Sequence, residues 1–429
     1  MTIAVTFVCQ WFPPEPAAVP ESIAHALRDQ GLRVEVLTGI PNYPTGIVAE
    51  GYAASRAVSE VQHGIRVRRT PLYPSHDTSA VKRLLNYASW ALSSAVLGQK
   101  QLRKADANLV YSSPATAAFP AMVAKTLWRT PYVLLVQDVW PDSIFASGFL
   151  SGRLSQVIFR MVDTFVRCAY SMADHVAVIS PGMADLLIER GVPSDKVSVV
   201  YNWLPEGDSA VDEGATSSVR EDLGIPDDAK LFLYAGNHGR AQALDSLVDA
   251  FMDPATAPAH LVLLGDGVSK PDLVRRAAGK DRLHFLDPVP REEAVRMSRA
   301  SDVHVVSLAD DPLFAVTMPS KVQSGLATGL PVLVVAPGDS AAVVTGECAG
   351  LAASPGDVAA VVEAVSVFNE MTQKDLAKMG ERGREAYERL MARGIGAARL
   401  AFLLQQAALR RGTRSMATAT AVSNEGEKL

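Results

Sequence analysis

Short apolar runs of strand length recur along this chain, and most are followed by stretches whose apolar residues return at helical spacing. A run that is apolar throughout predicts a strand buried on both faces. A helical stretch after it predicts a crossover, so the alternation predicts parallel sheets covered by helices. In the first half the predicted strands are 3–8, 34–38, 109–111, 132–137 and 175–179. The second half restarts the rhythm with 231–235, 261–265, 284–286, 303–308 and 332–336. The restart predicts an α/β fold class with two Rossmann-like domains.

Polarity rises after Pro205, in a stretch rich in Asp, Glu, Gly and Ser that reads as a linker or exposed loop. The first domain is therefore expected over 1–204 and the second over 205–389. Residues 376–410 read as one or two helices, with 390–410 crossing back to brace the first domain, and the small polar residues 413–429 are expected to be disordered. A length of 429 residues suits two such cores. The formal net charge of -5 gives no support to a general nucleic-acid binder. Cys9, Cys168 and Cys348 stand far apart, which argues against a zinc cluster or a disulfide framework, and they read as buried thiols. The opening "MTIAVTFVCQWFPPEP" lacks the basic region and long apolar run of a signal peptide, and no apolar run approaches the roughly 20 residues of a membrane span. A cytoplasmic protein is expected.

The candidate chemistry lies at predicted strand ends. In "LFLYAGNHGRAQALDSLVDAF" a strand runs into Gly236, Asn237, His238 and Gly239, then into a helix with Leu244, Leu247, Val248 and Phe251 on one face. Glycines there let backbone approach a ligand, a helix N-terminus favours an anion, and Arg240 could add a charged contact to a phosphate. Such glycines also serve turning alone. A second turn, Gly265-Asp266-Gly267, ends the next strand, and "PSKVQSGLATGLP" brings Pro319, Ser320 and Lys321 to a third. Ligands of open α/β sheets bind outside the carboxyl ends of the strands, so the three segments reinforce one another.

In the first half, "VQDVWPDS" sets Asp138, Trp140 and Asp142 after a buried strand, where a carboxylate could orient a sugar hydroxyl, act as a general base, or merely cap a turn. His25, His63 and His76 show no metal-ligand spacing and read as surface or loop histidines. The segment 81–104 puts Val81, Leu84, Leu85, Ala88, Ala91 and Leu92 on one helical face, with Lys82, Arg83, Lys100, Arg103 and Lys104 at its ends. It reads either as a helix packed on the sheet or as a peripheral contact with an anionic membrane.

Together these segments resemble the retaining family 4 glycosyltransferases of the GT-B fold, in particular the branch that builds bacterial surface polysaccharides. "PNYP" at 41–44, "QDVWPDS" at 137–143, "YAGNHGRAQALDSLVDAF" at 234–251 and "PSKVQSGLATGLPVL" at 319–333 carry the resemblance, in the family's order. It implies an enzyme in which the second domain binds a nucleoside-diphosphate sugar, UDP- or GDP-linked, and the first binds the acceptor across an interdomain cleft. The acceptor is a lipid-linked saccharide or a small molecule. No cofactor or metal is implied, because Lys321, Arg240 and the Gly236–Gly239 turn would neutralise the leaving diphosphate. Gly265, Asp266, Gly267, Asp287 and Val289 would lie near the base, with Pro319, Ser320 and Ser324 completing the donor side. Asp138 would face the reacting centre. Pro16, Ala17, Ala18, Asn42, Tyr43, Trp140 and Asp142 would form the acceptor side. Ser324 stands where family members commonly carry a ribose-binding glutamate, and Ala17 and Ala18 stand where they show glycines. A sugar-nucleotide 2-epimerase and a non-catalytic binding protein share the fold.

Overall fold

The runs that are apolar throughout become the middles of two sheets. A computed structural model describes residues 2–75, 80–143, 153–204 and 219–426. The chain divides into two units, Met1–Val200 with Arg393–Leu429, and Tyr201–Ala392. The linker expected from 205 lies at 205–218 outside the described residues.

The strands of the first unit are β1 (Ala4–Val8), β2 (Arg33–Gly39), β3 (Val58–Gln62), β4 (Ile65–Thr70), β5 (Ala107–Ser112), β6 (Tyr132–Val136), β7 (His175–Val178) and β8 (Val197–Val199). They lie in the order β3-β4-β2-β1-β5-β6-β7-β8, parallel throughout except for the β3–β4 hairpin. Every residue of β1 and β6 is buried. The helices used below are α1 (Ala18–Asp29), α2 (Ala80–Leu97), α3 (Gln99–Lys104), α4 (Ala118–Trp128), α5 (Arg153–Met172) and α6 (Pro181–Glu189). Strand order reverses between β1 and β5, so the loops after β1, β5 and β6 gather at one switch point.

The hairpin escaped the search for apolar runs because its strands alternate: β3 reads "VSEVQ" with every second residue exposed. His63 and Gly64 join the strands, both with positive φ (46° and 76°), as a tight two-residue hairpin turn requires.

Two buried charged residues hold the Pro-rich loop between β1 and α1. The Glu15 carboxylate accepts from the backbone N–H groups of Phe12 (3.1 Å), Asn42 (2.9 Å) and Tyr43 (2.9 Å). The fully buried Arg69 donates to the carbonyls of Pro13 and Gly39 and pairs with Glu60 at 2.7 Å.

Of the α2 face expected to be apolar, only Ala91 is buried and Leu84 half-buried, and the rest is exposed. Asn86, Trp90, Ala91, Ser94 and Ala95 turn inward, while Val81, Leu85, Leu92 and Val96 are exposed. Hydrogen bonds set this rotation: Asn86 accepts from Gln10 (2.6 Å) and donates to Asn42 (3.1 Å) and the Tyr73 carbonyl (2.7 Å), and Ser94 bonds Thr70 (2.7 Å).

The second unit has β9 (Leu231–Ala235), β10 (His260–Leu264), β11 (Leu283–Leu286), β12 (Val303–Ser307), β13 (Val332–Val335) and β14 (Gly350–Ala353), parallel in the order β11-β10-β9-β12-β13-β14. This is the Rossmann order, with its reversal between β9 and β12. Helix α7 (Leu244–Met252) buries Leu244, Leu247, Val248 and Phe251, and Phe251 meets Phe232 with ring centroids 5.2 Å apart.

Two further expectations need correction. Cys9 is buried, but Cys168 and Cys348 are exposed. The last helix runs Arg393–Gly426, through residues expected to be disordered, and the alanines and Met416 there have the helix propensity to carry it. Residues 427–429 lie outside the described residues.

Burial raises the Glu15 pKa from 4.5 to about 6, against the opposing pull of its three backbone donors. A carboxyl with a raised folded-state pKa adds stability at low pH that is lost as pH rises through the folded value. Between pH 4 and 7 the wild type should therefore lose about 2 kcal/mol relative to Glu15→Gln. Thermal melts of both proteins across that range test this, and a difference that does not change with pH would refute it.

Candidate active site

In the second unit two strand-end turns meet so closely that side chains are excluded. Gly236 follows β9 with φ 143°, Gly265 follows β10 with φ 140°, and Gly267 has φ 157°. A Cβ on Gly265 would lie 2.0 Å from the Gly236 carbonyl oxygen, and one on Gly267 would lie 2.6 Å from the His238 carbonyl carbon. Hydrogen bonds lace the two turns: Gly236 N to Leu264 O (2.9 Å), His238 N to Asp266 O (2.8 Å) and Ser269 N to His238 O (2.9 Å).

Lys321 enters from the first turn of helix α8 (Ser320–Thr328), whose N-cap is Pro319. Its side chain lies against Gly236, where an added Cβ would come within 2.6 Å of Lys321 Cε and 2.8 Å of Nζ. Nζ also sits 5.2 Å from the Tyr234 ring centre, and the Tyr234 hydroxyl donates to Asn237 O at 2.7 Å. Burial lowers the Lys321 pKa, as expected of an ammonium partly removed from water with no carboxylate among the described residues to meet it. The sequence signals at Gly236, Gly265, Gly267 and Lys321 thus converge on one cationic corner at the switch point, where a helix N-terminus adds positive potential.

Other predicted donor residues take different places. The helix expected directly after Gly239 begins only at Leu244, because a short 3₁₀ turn (Arg240–Gln242) and Ala243 with φ 45° intervene. Arg240 is exposed on that turn. Gly239 N donates to Gln242 Oε1 at 3.1 Å, and Asn237 reaches the same oxygen at 3.4 Å. His238 is wholly buried, neither ring nitrogen has a well-formed partner, and burial and then Lys270 lower its pKa. Asp266 caps its own turn by accepting from Gly267 N at 2.8 Å. Asp287 is exposed and paired with Lys270 at 2.7 Å. Val289 is partly buried against the smaller core cluster around Leu231, Leu233 and Val262. Ser324 lies one turn beyond Lys321, its hydroxyl 3.5 Å from the Lys321 carbonyl.

Lys270 was missed by sequence reasoning. It ties together the carbonyls of Gly265 (2.8 Å) and Leu286 (3.0 Å) as well as Asp287, bracing the ends of β10 and β11. A lysine three residues after Gly267 was the only signal available.

The first unit holds a cavity of about 570 Å³ at its own switch point. Pro16, Ala17, Ala18, Tyr43, Asp138 and Trp140 line it, all expected from the sequence. Trp11, Arg83, Tyr87, Tyr111 and Ser113 line it too and were not. Tyr43, Trp11, Tyr87 and Trp140 form a chain of ring contacts with centroids 5.2, 6.1 and 6.1 Å apart. Burial raises the Asp138 pKa, partly offset by a hydrogen bond from Ser113 Oγ at 2.8 Å. Asn42 and Asp142 do not line the cavity. Asn42 donates to Ile40 O (3.0 Å) and accepts from Asn86, which locks the segment bearing Tyr43. Asp142 receives a two-pronged ion pair from Arg190 at 2.8 and 3.0 Å, which fixes the turn after Trp140.

Comparison with known proteins joins these halves. Residues 16–203 match the family model described as a glycosyl transferase 4-like domain, and residues 229–368 match that of glycosyl transferases group 1. The putative colanic acid biosynthesis glycosyl transferase WcaI of Escherichia coli is 29% identical over 71% of this chain and 75% of its own length. The probable glycosyltransferase WbjE of Pseudomonas aeruginosa is 27% identical over 54% of this chain and 58% of its own. The crystal structure of Anabaena HepE in complex with UDP and glucose superposes with a TM-score of 0.65 at 17% identity, covering 94% of this chain and 99% of that one, a likeness of fold. With both sheets in Rossmann order and both family models matched in sequence order, this chain belongs to the family 4 glycosyltransferases of GT-B fold and is a glycosyltransferase.

Proposed function

We propose that this enzyme transfers a sugar, with retention of anomeric configuration, from a UDP- or GDP-linked donor to a hydroxyl of a lipid-linked saccharide in bacterial surface-polysaccharide synthesis. The observation that carries this reading is the half-buried Lys321 amine laid against Gly236, a concentrated positive charge beside bare glycine backbone. A diphosphate placed there restores the lysine's preference for its charged form and stabilises the leaving group as the glycosidic bond breaks. Lys321 supplies the charge that other transferases take from a metal ion, so the mechanism is read as metal-independent.

The aromatic cavity suits a saccharide, because Trp and Tyr present flat apolar faces to sugar rings and their polar edges to hydroxyls. Asp138 at its floor would hold the nucleophilic hydroxyl and orient it. Retention is read as same-face attack, with the departing phosphate helping to remove the acceptor proton.

α2 supports a lipid-linked acceptor. The helix sends Arg83, Leu84 and Tyr87 into the cavity lining and leaves Val81, Leu85, Leu92 and Val96 in solvent. Residues 80–105 contain no Asp or Glu but do contain Lys82, Arg83, Lys100, Arg103 and Lys104. The next helix ends in exposed Leu127 and Trp128, with the Arg103 guanidinium 5.0 Å over the Trp128 ring. An exposed apolar stripe with basic flanks fits the surface of an anionic bilayer. No helix among the described residues is long and apolar enough to cross a membrane.

Saturating UDP or GDP, at about 100 times its Kd, should stabilise the protein by roughly 2.7 kcal/mol. Lys321→Ala should weaken that nucleotide about tenfold or more and lower transfer by about 10²-fold or more. Parental nucleotide affinity in this variant would sink the donor assignment. Asp138→Asn should lower kcat by about 10²-fold with nucleotide affinity unchanged, and equal loss of both would mark Asp138 as structural. The protein should float with vesicles containing phosphatidylglycerol and not with pure phosphatidylcholine. Leu85→Glu combined with Leu92→Glu should abolish flotation, and unchanged flotation would exclude α2 as the contact.

A further inference from the structure

Two of the three histidines whose spacing suggested no metal site, His25 and His63, are brought together by the fold, and His76 lies outside the described residues. Glu21 and His25 lie one helical turn apart on α1. The β3–β4 turn delivers His63 to them from a distant part of the chain, with its Nδ1 3.2 Å from Glu21 Oε1. The His25 and His63 rings stand 6.0 Å apart, tilted by 40°. One ligand atom from each of the three residues lies within 4.8 Å of the others.

We propose that Glu21, His25 and His63 form a site for one divalent transition-metal ion of the zinc class, with water completing its coordination. Two imidazole nitrogens and one carboxylate oxygen are a donor set that zinc takes readily, at about 2.0–2.2 Å from the ion. Ligands at that distance around a tetrahedral centre stand roughly 3.4 Å apart. The Glu21–His63 pair, at 3.2 Å, is already close to this separation, and all three ligand atoms lie within 4.8 Å of one another.

The backbone at His63 argues that the ring's position is built in. His63 occupies the left-handed conformation (φ 46°) at a turn position where Asn, Asp or Gly is the common choice. Arg28, on the same helix as His25, donates to the His63 carbonyl at 2.7 Å and holds the turn against α1. That guanidinium also brings a positive charge near the ion, so micromolar affinity is expected.

The consequence is mechanical. The first turn of α1 carries Glu21 beside Ala18, Val19 and Pro20, which line the cavity. An ion bound by Glu21, His25 and His63 would clamp the hairpin to that turn and stiffen one wall of the cavity. The three residues belong to the first unit and the donor corner to the second, and the proposal does not rest on which sugar is transferred.

Calorimetric titration of the full chain, free of any affinity tag, with zinc chloride in a non-coordinating buffer tests the proposal. The expected result is one ion per chain at a micromolar Kd, with a higher Tm at saturation. His25→Ala and His63→Ala should each weaken binding at least tenfold while their metal-free melts match the parent, which separates lost ligation from lost folding. Absence of saturable binding, or undiminished binding in either correctly folded variant, overturns the site.

Discussion

Everything proposed for donor binding depends on one close approach of backbone to backbone. Where the chain leaves β10 it crosses the chain leaving β9 so tightly that a methyl group on Gly265 would sit 2.0 Å from the Gly236 oxygen. Positive φ at both residues reinforces the exclusion, since an L side chain there is strained even where space exists. Because no side chain stands over Gly236, Lys321 can occupy that space. A half-buried cation held by an aromatic ring and bare peptide is incompletely solvated, and it gains from an incoming anion.

The first unit solves a different problem with buried charge. A Pro-rich loop has few backbone donors of its own with which to fix its course. Glu15 gathers three backbone N–H groups and Arg69 gathers two carbonyls and a carboxylate, so the loop and the segment bearing Tyr43 are held without regular structure. Their reward is the aromatic cavity, whose walls come from loops after β1 and β2, from α2, and from the ends of β5 and β6. Asn86 belongs to the same network, and its buried bonds turn the apolar side of α2 outward. An arrangement that leaves valine and leucine in water while burying asparagine and serine opposes the ordinary partition of residues. The exposed apolar stripe and the basic, acid-free composition around it are what the proposed contact with an anionic bilayer rests on.

The sequence by itself determined the fold class, because strands buried on both faces must be apolar throughout and the helices between them must carry an apolar stripe. It also marked Gly236, Gly265, Gly267, Lys321 and Asp138, since strand ends in such folds converge whatever the intervening helices contain. Alternating strands such as β3 and β4 stayed hidden, their half-exposed pattern lacking an apolar run. Tertiary structure alone decided how α2 is rotated, which carboxylate lines the cavity beside Ser113 and which is tied to Arg190, and that Val289 packs partly against the core. It alone brought His63 to Glu21 and His25. Each of these depends on partners distant in the chain, and periodicity reports only which face of an element is apolar, not what meets it across space.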